Sequence, residues 1–329
     1  MLVQMFVLIM VIIAVTYYQK KQIKYFTNNN EIQKAILQLR NNSSLQTKVD
    51  KIQYQRFKIN YDYNIDDYFY YDYISGSDSS KPTVVVLPFL GGHSQSNLIR
   101  SVVKRFNDHG HSVAVLLQRG SLGTSNHPNQ QKFRQVSDYE DIEILLKVLN
   151  SKVILIGYSM GAYQLVRYLG LQSKLAQQYV EYAFVSYFLC DQVIPLKIDK
   201  QKFNRFGCSI VNHVQQNSLY LINQGFEEQQ VQQIIEQKSL YLYDDLVIQK
   251  LQNHCSKEDL YQSRNEEINK CLQNINVPCM FVWGKQDALT PTLPVASIKA
   301  NINLSYAQVN GDHLDPVANQ LICNIALNM

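Results

Sequence analysis

Residues 157–161 read Gly-Tyr-Ser-Met-Gly, a Gly-x-Ser-x-Gly pentapeptide centred on Ser159. A serine hydroxyl becomes a useful nucleophile only when the backbone projects it toward a base, and a sharp strand-to-helix turn does that. Such a turn needs Gly157 and Gly161, because side chains there would meet the neighbouring strand and helix. The flanks fit. Val153 to Ile156 is an apolar, β-branched run, and Ala162 to Leu169 has helical character. With only 13 glycines in 329 residues, a chance match to this pattern is uncommon. The same five residues could also form an ordinary strand–turn–helix with a solvated serine, so the reading depends on partners further along.

In the architecture built on such a turn, the nucleophile is followed in the chain by an acid and then by a histidine. Downstream of Ser159 lies the apolar run Pro278-Cys-Met-Phe-Val-Trp283, then Gly284-Lys-Gln-Asp287. Asp287 is expected just past a strand end, where an acid could orient an imidazole; its plainer alternative is a turn aspartate. Of the seven histidines only His213, His254 and His313 follow Ser159. His213 lies in an amphipathic stretch and His254 in a charged, Gln-rich one. His313 follows a short strand (from Tyr306) and a glycine-containing loop, as a general base on Ser159 should. Asp312 is set aside because a sequence neighbour rarely points at the far side of the adjacent ring. Asp191 stands behind Asp287 as a second candidate acid.

A developing oxyanion needs two backbone N–H donors. One is expected from Met160, the residue after the nucleophile. The other is expected from the glycine-rich loop Pro88-Phe-Leu-Gly-Gly-His-Ser94 behind the strand Val84–Leu87, with Leu90 as the donor. His93 has no second His or Cys at ligand spacing, and no metal or cofactor motif is found.

These residues need a scaffold. From Val84 to Gly170 strand and helix patterns alternate: Val84–Leu87, Leu98–His109, Val113–Leu117, Tyr139–Leu149, Val153–Ile156 and the helix after the serine. That is the βαβ rhythm of a mostly parallel sheet with helices on both faces. Tyr54–Tyr61 and Tyr68–Ile74 read as opening antiparallel strands, and the tyrosines between 61 and 73 as sheet-surface aromatics. Residues 192–270 break the rhythm with Gln-rich helical sequence, expected as a cap over the site or as extra helices on the core. Asp244-Asp245 within it is read as an exposed turn or helix cap. The domain that carries these residues is expected over 51–329.

Composition bounds the partners. The chain is 46% hydrophobic and 18% charged, with net charge +4, and no basic stripe is interleaved with aromatics, so nucleic acid is not expected. The six cysteines (190, 208, 255, 271, 279, 323) include no Cys-x-x-Cys pair, which argues for reduced thiols rather than zinc or a disulfide framework. Leu2 to Tyr18 is apolar apart from Gln4 and Thr16. At 1.5 Å per residue it reaches about 26 Å, close to the roughly 27 Å of an endoplasmic-reticulum-like bilayer. Lys20, Lys21 and Lys24 follow it at once. We therefore expect a retained single-pass anchor over 1–18, a polar juxtamembrane linker over 19–50 and a cytosolic catalytic body. In that orientation the sequons at Asn41, Asn42 and Asn303 stay bare.

Four segments together resemble the α/β-hydrolase superfamily, and within it the AB hydrolase 4 family of membrane-anchored lipases and esterases and their YheT-like relatives. They are Leu87–Ser94; Gln118-Arg119-Gly120; Gly157–Ala162 with Tyr168-Leu169-Gly170; and Asp312-His313-Leu314. Two departures stand out: Phe89 replaces the usual glycine of the oxyanion loop, and Gly-Lys-Gln precedes Asp287 in place of a more acidic stretch. The resemblance implies hydrolysis of lipid esters such as monoacylglycerols or phospholipids, or of simple carboxylic esters. An acyltransferase with the same three residues, or a non-catalytic hydrolase-fold membrane protein, are the competing readings.

Overall fold

The computed structural model describes residues 24–26, 49–61, 64–119, 121, 124, 138–187, 211–238, 256–287 and 294–328. Nine strands form one sheet. They are β1 (Lys24–Phe26), β2 (Gln55–Tyr61), β3 (Asn64–Ile74), β4 (Thr83–Leu87), β5 (Val113–Leu117), β6 (Val153–Tyr158), β7 (Val180–Ser186), β8 (Cys279–Gly284) and β9 (Leu304–Val309). Their order across the sheet is β1-β9-β8-β7-β6-β4-β5-β3-β2. From β5 to β9 the pairing is parallel, while β2, β3 and β1 pair antiparallel at the two edges. The α/β fold expected from the strand–helix alternation is the one observed.

The central strands β4, β5, β6 and β8 are nearly continuous apolar runs because both faces are covered. Val85 and Leu87 of β4 point into one core, Val84 and Val86 into the other. The first core is closed by α2 (Glu140–Leu149), α3 (Met160–Leu171), α4 (Ser173–Tyr179) and, later in the chain, a long helix over Lys257–Asn274. The second is closed by α1 (Asn97–Asp108) and the last helix, Pro316–Leu327. Fully burying one such Val, Leu or Ile side chain contributes about 1.5–3 kcal/mol. Two cores of this kind hold the strand ends, and the loops they carry, in fixed positions.

Three differences from the sequence expectations have physical causes. The tyrosines of β2 and β3 are not all surface aromatics. Tyr61 and Tyr71 are buried with Phe69 against α2, and Phe57 stacks on Tyr71 with ring centres 5.1 Å apart. Helix α2 covers that end of the sheet, so the aromatics there are core.

The second difference concerns the insertion at 192–270. Two short helices in it, α5 (Ser218–Asn223) and α6 (Glu228–Gln237), bury Tyr220, Leu221, Val231 and Ile234. Its final part belongs instead to helix α7 (Lys257–Asn274), which packs on α3: Ile268, Cys271 and Leu272 enter the first core, and Arg167 pairs with Glu267 at 2.7 Å. Any cap therefore ends before Ser256, whose hydroxyl caps α7 by accepting from the Asp259 N–H. Helices α8 (Val295–Ala300) and α9 (Pro316–Leu327) follow later in the chain.

The third is at the start. Within the expected linker, Lys24–Phe26 forms β1, with Lys24 opposite Gln308 and Phe26 opposite Tyr306. The apolar run Leu2–Tyr18 lies outside the described residues, among which no helix is long and apolar enough to cross a membrane. Asp191, His254, Asp244-Asp245 and the sequons at Asn41 and Asn42 also lie outside them.

Candidate active site

Ser159 is the residue between β6 and α3, at φ 52°, ψ −109°. A non-glycine residue with positive φ is uncommon and is tolerated where the surroundings over-determine it. Here they do. The Ser159 N–H donates to the Ser186 carbonyl at the end of β7 (2.9 Å), and the Ser159 carbonyl accepts from the Tyr163 N–H one helical turn on (3.0 Å). Gly157 and Gly161 allow the turn to close: a Cβ on Gly157 would lie 2.7 Å from the Gly161 carbonyl oxygen, and one on Gly161 2.3 Å from that of Leu87.

The loops after β8 and β9 bring the other two expected residues to the same place. His313 Nε2 lies 3.0 Å from Ser159 Oγ, and His313 Nδ1 lies 2.8 Å from Asp287 Oδ2. The carboxylate of Asp287 can only accept, so Nδ1 carries the proton and Nε2 is left to accept from the serine hydroxyl. Asp287 is 3% exposed, and the imidazole side chain is almost as deeply enclosed. Asp312 does something else: its Oδ1 accepts from the backbone N–H of His313 at 2.8 Å, which fixes the loop and not the ring. Asp315 ends the loop by capping α9, accepting from the Val317 N–H at 2.9 Å. The arrangement can remove a proton from Ser159 and stabilise the resulting imidazolium.

The loop expected to carry an oxyanion donor, Pro88–Ser94, runs on to Ser96, the residue before α1, and lies beside the nucleophile turn. Gly92 N–H donates to the Phe89 carbonyl (2.7 Å) and Gly91 has φ 68°, which makes Phe89–Gly92 a turn of the type that needs glycine at its third position. Leu90 and Met160 make no backbone hydrogen bond through their N–H groups among the described residues. Phe89, the departure from the family pattern, lies over Gly92: a Cβ there would be 3.1 Å from its ring. The ring packs against the second core.

Several residues secure this loop, and Asp72, Arg56 and Tyr54 among them had no signal in the sequence. Ser94 Oγ donates to the buried Asp72 of β3 (2.5 Å), and Arg56 of β2 grips the same carboxylate with two hydrogen bonds of 2.7 and 3.0 Å. Tyr54 Oη donates to the Ser94 carbonyl (3.1 Å), and Gln118 donates to that of Pro88 (2.7 Å). His93 accepts from the Gln95 N–H through Nδ1 (3.1 Å), and burial holds its pKa below the ordinary histidine value. Arg119, buried at 5% exposure, sits between Asp67 (3.0 Å) and Asp141 (3.5 Å), and Tyr61 donates to Asp141 beside it. The buried ring of His213, from the insertion, is hydrogen-bonded to the Arg119 backbone. Among the described residues no group of three or more His, Cys, Asp or Glu could hold a metal ion.

The sequence profile of the family described as serine aminopeptidase, S33, matches residues 80–308. The chain belongs to this α/β-hydrolase family. The AB hydrolase 4 resemblance holds at this level, and ABHD proteins are among the relatives of this S33-family chain. It is 23% identical to the monoacylglycerol lipase ABHD2 of Danio rerio over 266 residues, 74% of this chain and 59% of the relative. It is 23% identical to the phospholipase ABHD3 of Mus musculus over 238 residues, 69% of this chain and 56% of the relative. The chain thus spans less than two thirds of the length of the curated relatives it matches. Among solved structures, the esterase Pf2001 of Pyrococcus furiosus superposes with TM-score 0.50 at 14% identity, over 83% of this chain and 91% of that one. That likeness concerns the fold.

Proposed function

We propose that this S33-family chain is a serine hydrolase of carboxylic esters, with lipid esters as its substrate class. The observation that carries the reading is the continuous line Ser159–His313–Asp287, with contacts of 3.0 and 2.8 Å, at the carboxyl ends of three different strands. Ser159 Oγ attacks the ester carbonyl while His313 Nε2 takes its proton, and Asp287 stabilises the imidazolium. The N–H groups of Leu90 and Met160 receive the oxyanion, each worth about 3–4 kcal/mol to the transition state. Collapse of the tetrahedral intermediate returns the proton from His313 to the leaving alcohol and leaves the acyl group on Ser159. Water, deprotonated by the same imidazole, then releases the acid. The names of the relatives, monoacylglycerol lipase and phospholipase, support lipid esters within this chemistry.

The same reading includes a membrane. Leu2–Tyr18 has the length and composition of a retained anchor. Strand β1 runs antiparallel to β9, so the chain enters the sheet at its carboxyl edge, the edge that carries Ser159 and His313. The stretch 19–23 spans at most about 20 Å when fully extended. That edge is therefore tethered close to the bilayer, on its cytosolic side.

Labelling by a fluorophosphonate probe tests the chemistry. The wild type is expected to label and Ser159→Ala not to; equal labelling of the two, or none of the wild type, overturns the reading. Release of fatty acid from monoacylglycerol and phospholipid vesicles, measured against short-chain soluble esters, tests the substrate class. Hydrolysis confined to the soluble esters would remove the lipid. Protease protection on sealed membranes tests the topology: a protected body would refute the cytosolic side.

A further inference from the structure

Three loops meet at one residue that the chemistry above does not use. Tyr187 directly follows β7, fully buried, with φ 54°. Its N–H donates to the Val282 carbonyl of β8 (2.9 Å), five residues before Asp287. Its phenol donates to the Asp315 carbonyl (2.9 Å), at the end of the loop that carries His313. Its ring lies against the imidazole of His313, centres 5.3 Å apart and planes inclined at 58°. The residue before it, Ser186, supplies the carbonyl that holds the Ser159 N–H. Left-handed backbone is a true outlier for a bulky aromatic residue, and such outliers gather where a site must be held in place.

Resting on the hydrolase reading, we propose that Tyr187 is a positioning residue: its ring fixes the plane of the His313 imidazole and its hydroxyl ties down the loop that delivers it. The imidazole must keep Nδ1 on Asp287 and Nε2 on Ser159 at once, and two hydrogen bonds leave it free to tip about the line joining them. A ring packed on one face removes that freedom. The contact works without touching substrate, because Tyr187 lies behind the histidine in the second core. The carboxylates near this corner are Asp287, Asp312 and Asp315, and burial together with them keeps the phenol protonated and able to donate.

The test compares Tyr187→Phe, which keeps the ring and loses the hydroxyl, with Tyr187→Leu, which keeps apolar volume and loses the ring. The readouts are the rate of fluorophosphonate labelling per active site, the labelled fraction at the end point, and the midpoint of thermal unfolding. Tyr187→Phe is expected to label about tenfold more slowly and Tyr187→Leu about a hundredfold more slowly, since small misplacements of reacting groups cost that much. The labelled fraction at the end point stays at the wild-type value. Wild-type labelling rates in both variants overturn the proposal, as does a loss seen only in the end point, which would mean fewer folded molecules and not slower ones. A wild type that never labels defeats the hydrolase reading itself, and is told apart from these by the parent protein alone.

Discussion

A Cβ placed on Gly161 would stand 2.3 Å from the carbonyl oxygen of Leu87. The first turn of α3 therefore rests directly on the backbone of β4, one residue before the loop Pro88–Ser96. The nucleophile turn and the loop expected to receive the oxyanion are two surfaces of one contact. Their separation is set by backbone against backbone, with no side chain between them to adjust it.

Gly161→Ala is expected to push these two surfaces apart. The contact is with backbone, so relief requires a shift of α3 or β4, at a cost of about 1–3 kcal/mol of overpacking. Labelling of Ser159 should fall by about a hundredfold, since both attack and oxyanion geometry change together. Urea unfolding and fluorophosphonate kinetics on one preparation check this. A variant with unaltered kinetics and stability would mean that the turn absorbs a methyl freely.

Asp287→Asn preserves shape but can present an amide N–H to His313, which favours the wrong tautomer. Turnover of an ester substrate is expected to drop by about 10⁴-fold with little change in KM. Asp191→Asn, at the other acid weighed from the sequence, is expected to leave turnover close to wild type. Steady-state kinetics on the pair decide between them. A large loss at residue 191 with a small one at 287 would reverse the assignment.

His213 supplies a pH dependence of stability. Burial lowers its folded-state pKa to about 4 from the ordinary 6.5, so the fold favours the neutral ring. The unfolded chain takes up a proton below pH 6.5 and the folded chain does so only near 4. Stability from this group is complete above pH 6.5 and is lost as the pH falls from there to about 4, by roughly 3 kcal/mol in all. Urea unfolding at pH 7, 6, 5 and 4 should show a shallower decline for His213→Gln than for the wild type. Parallel curves would show that His213 does not carry this dependence.

Much of the site was legible because each part announces itself locally. The pentapeptide around Ser159 needs glycines at fixed spacing, Asp287 and His313 each follow a short apolar strand, and the βαβ rhythm orders them. The residues that brace the site were not legible for the opposite reason. Asp72 and Arg56 meet by cross-strand register, Ser94 joins them from a loop, and Tyr187 gains its place only when β7, β8 and the His313 loop are side by side. No local spacing encodes such meetings. For the last part of the insertion the second of its two expected readings, extra helices on the core, applies; α7 carries few apolar residues on a largely polar surface, and only its packing on α3 marks it as core.

Ser159 holds φ 52° and ψ −109° in the folded chain. Such a backbone costs a side-chain-bearing residue about 1–3 kcal/mol, and glycine would be relieved of it. A chain carrying glycine there should melt at a higher temperature and turn nothing over. Heat tolerance and turnover thus ask for different residues at the same address. A search for sturdier variants that screens on folding alone would be drawn toward discarding the hydroxyl oxygen, the nucleophile of the proposed chemistry.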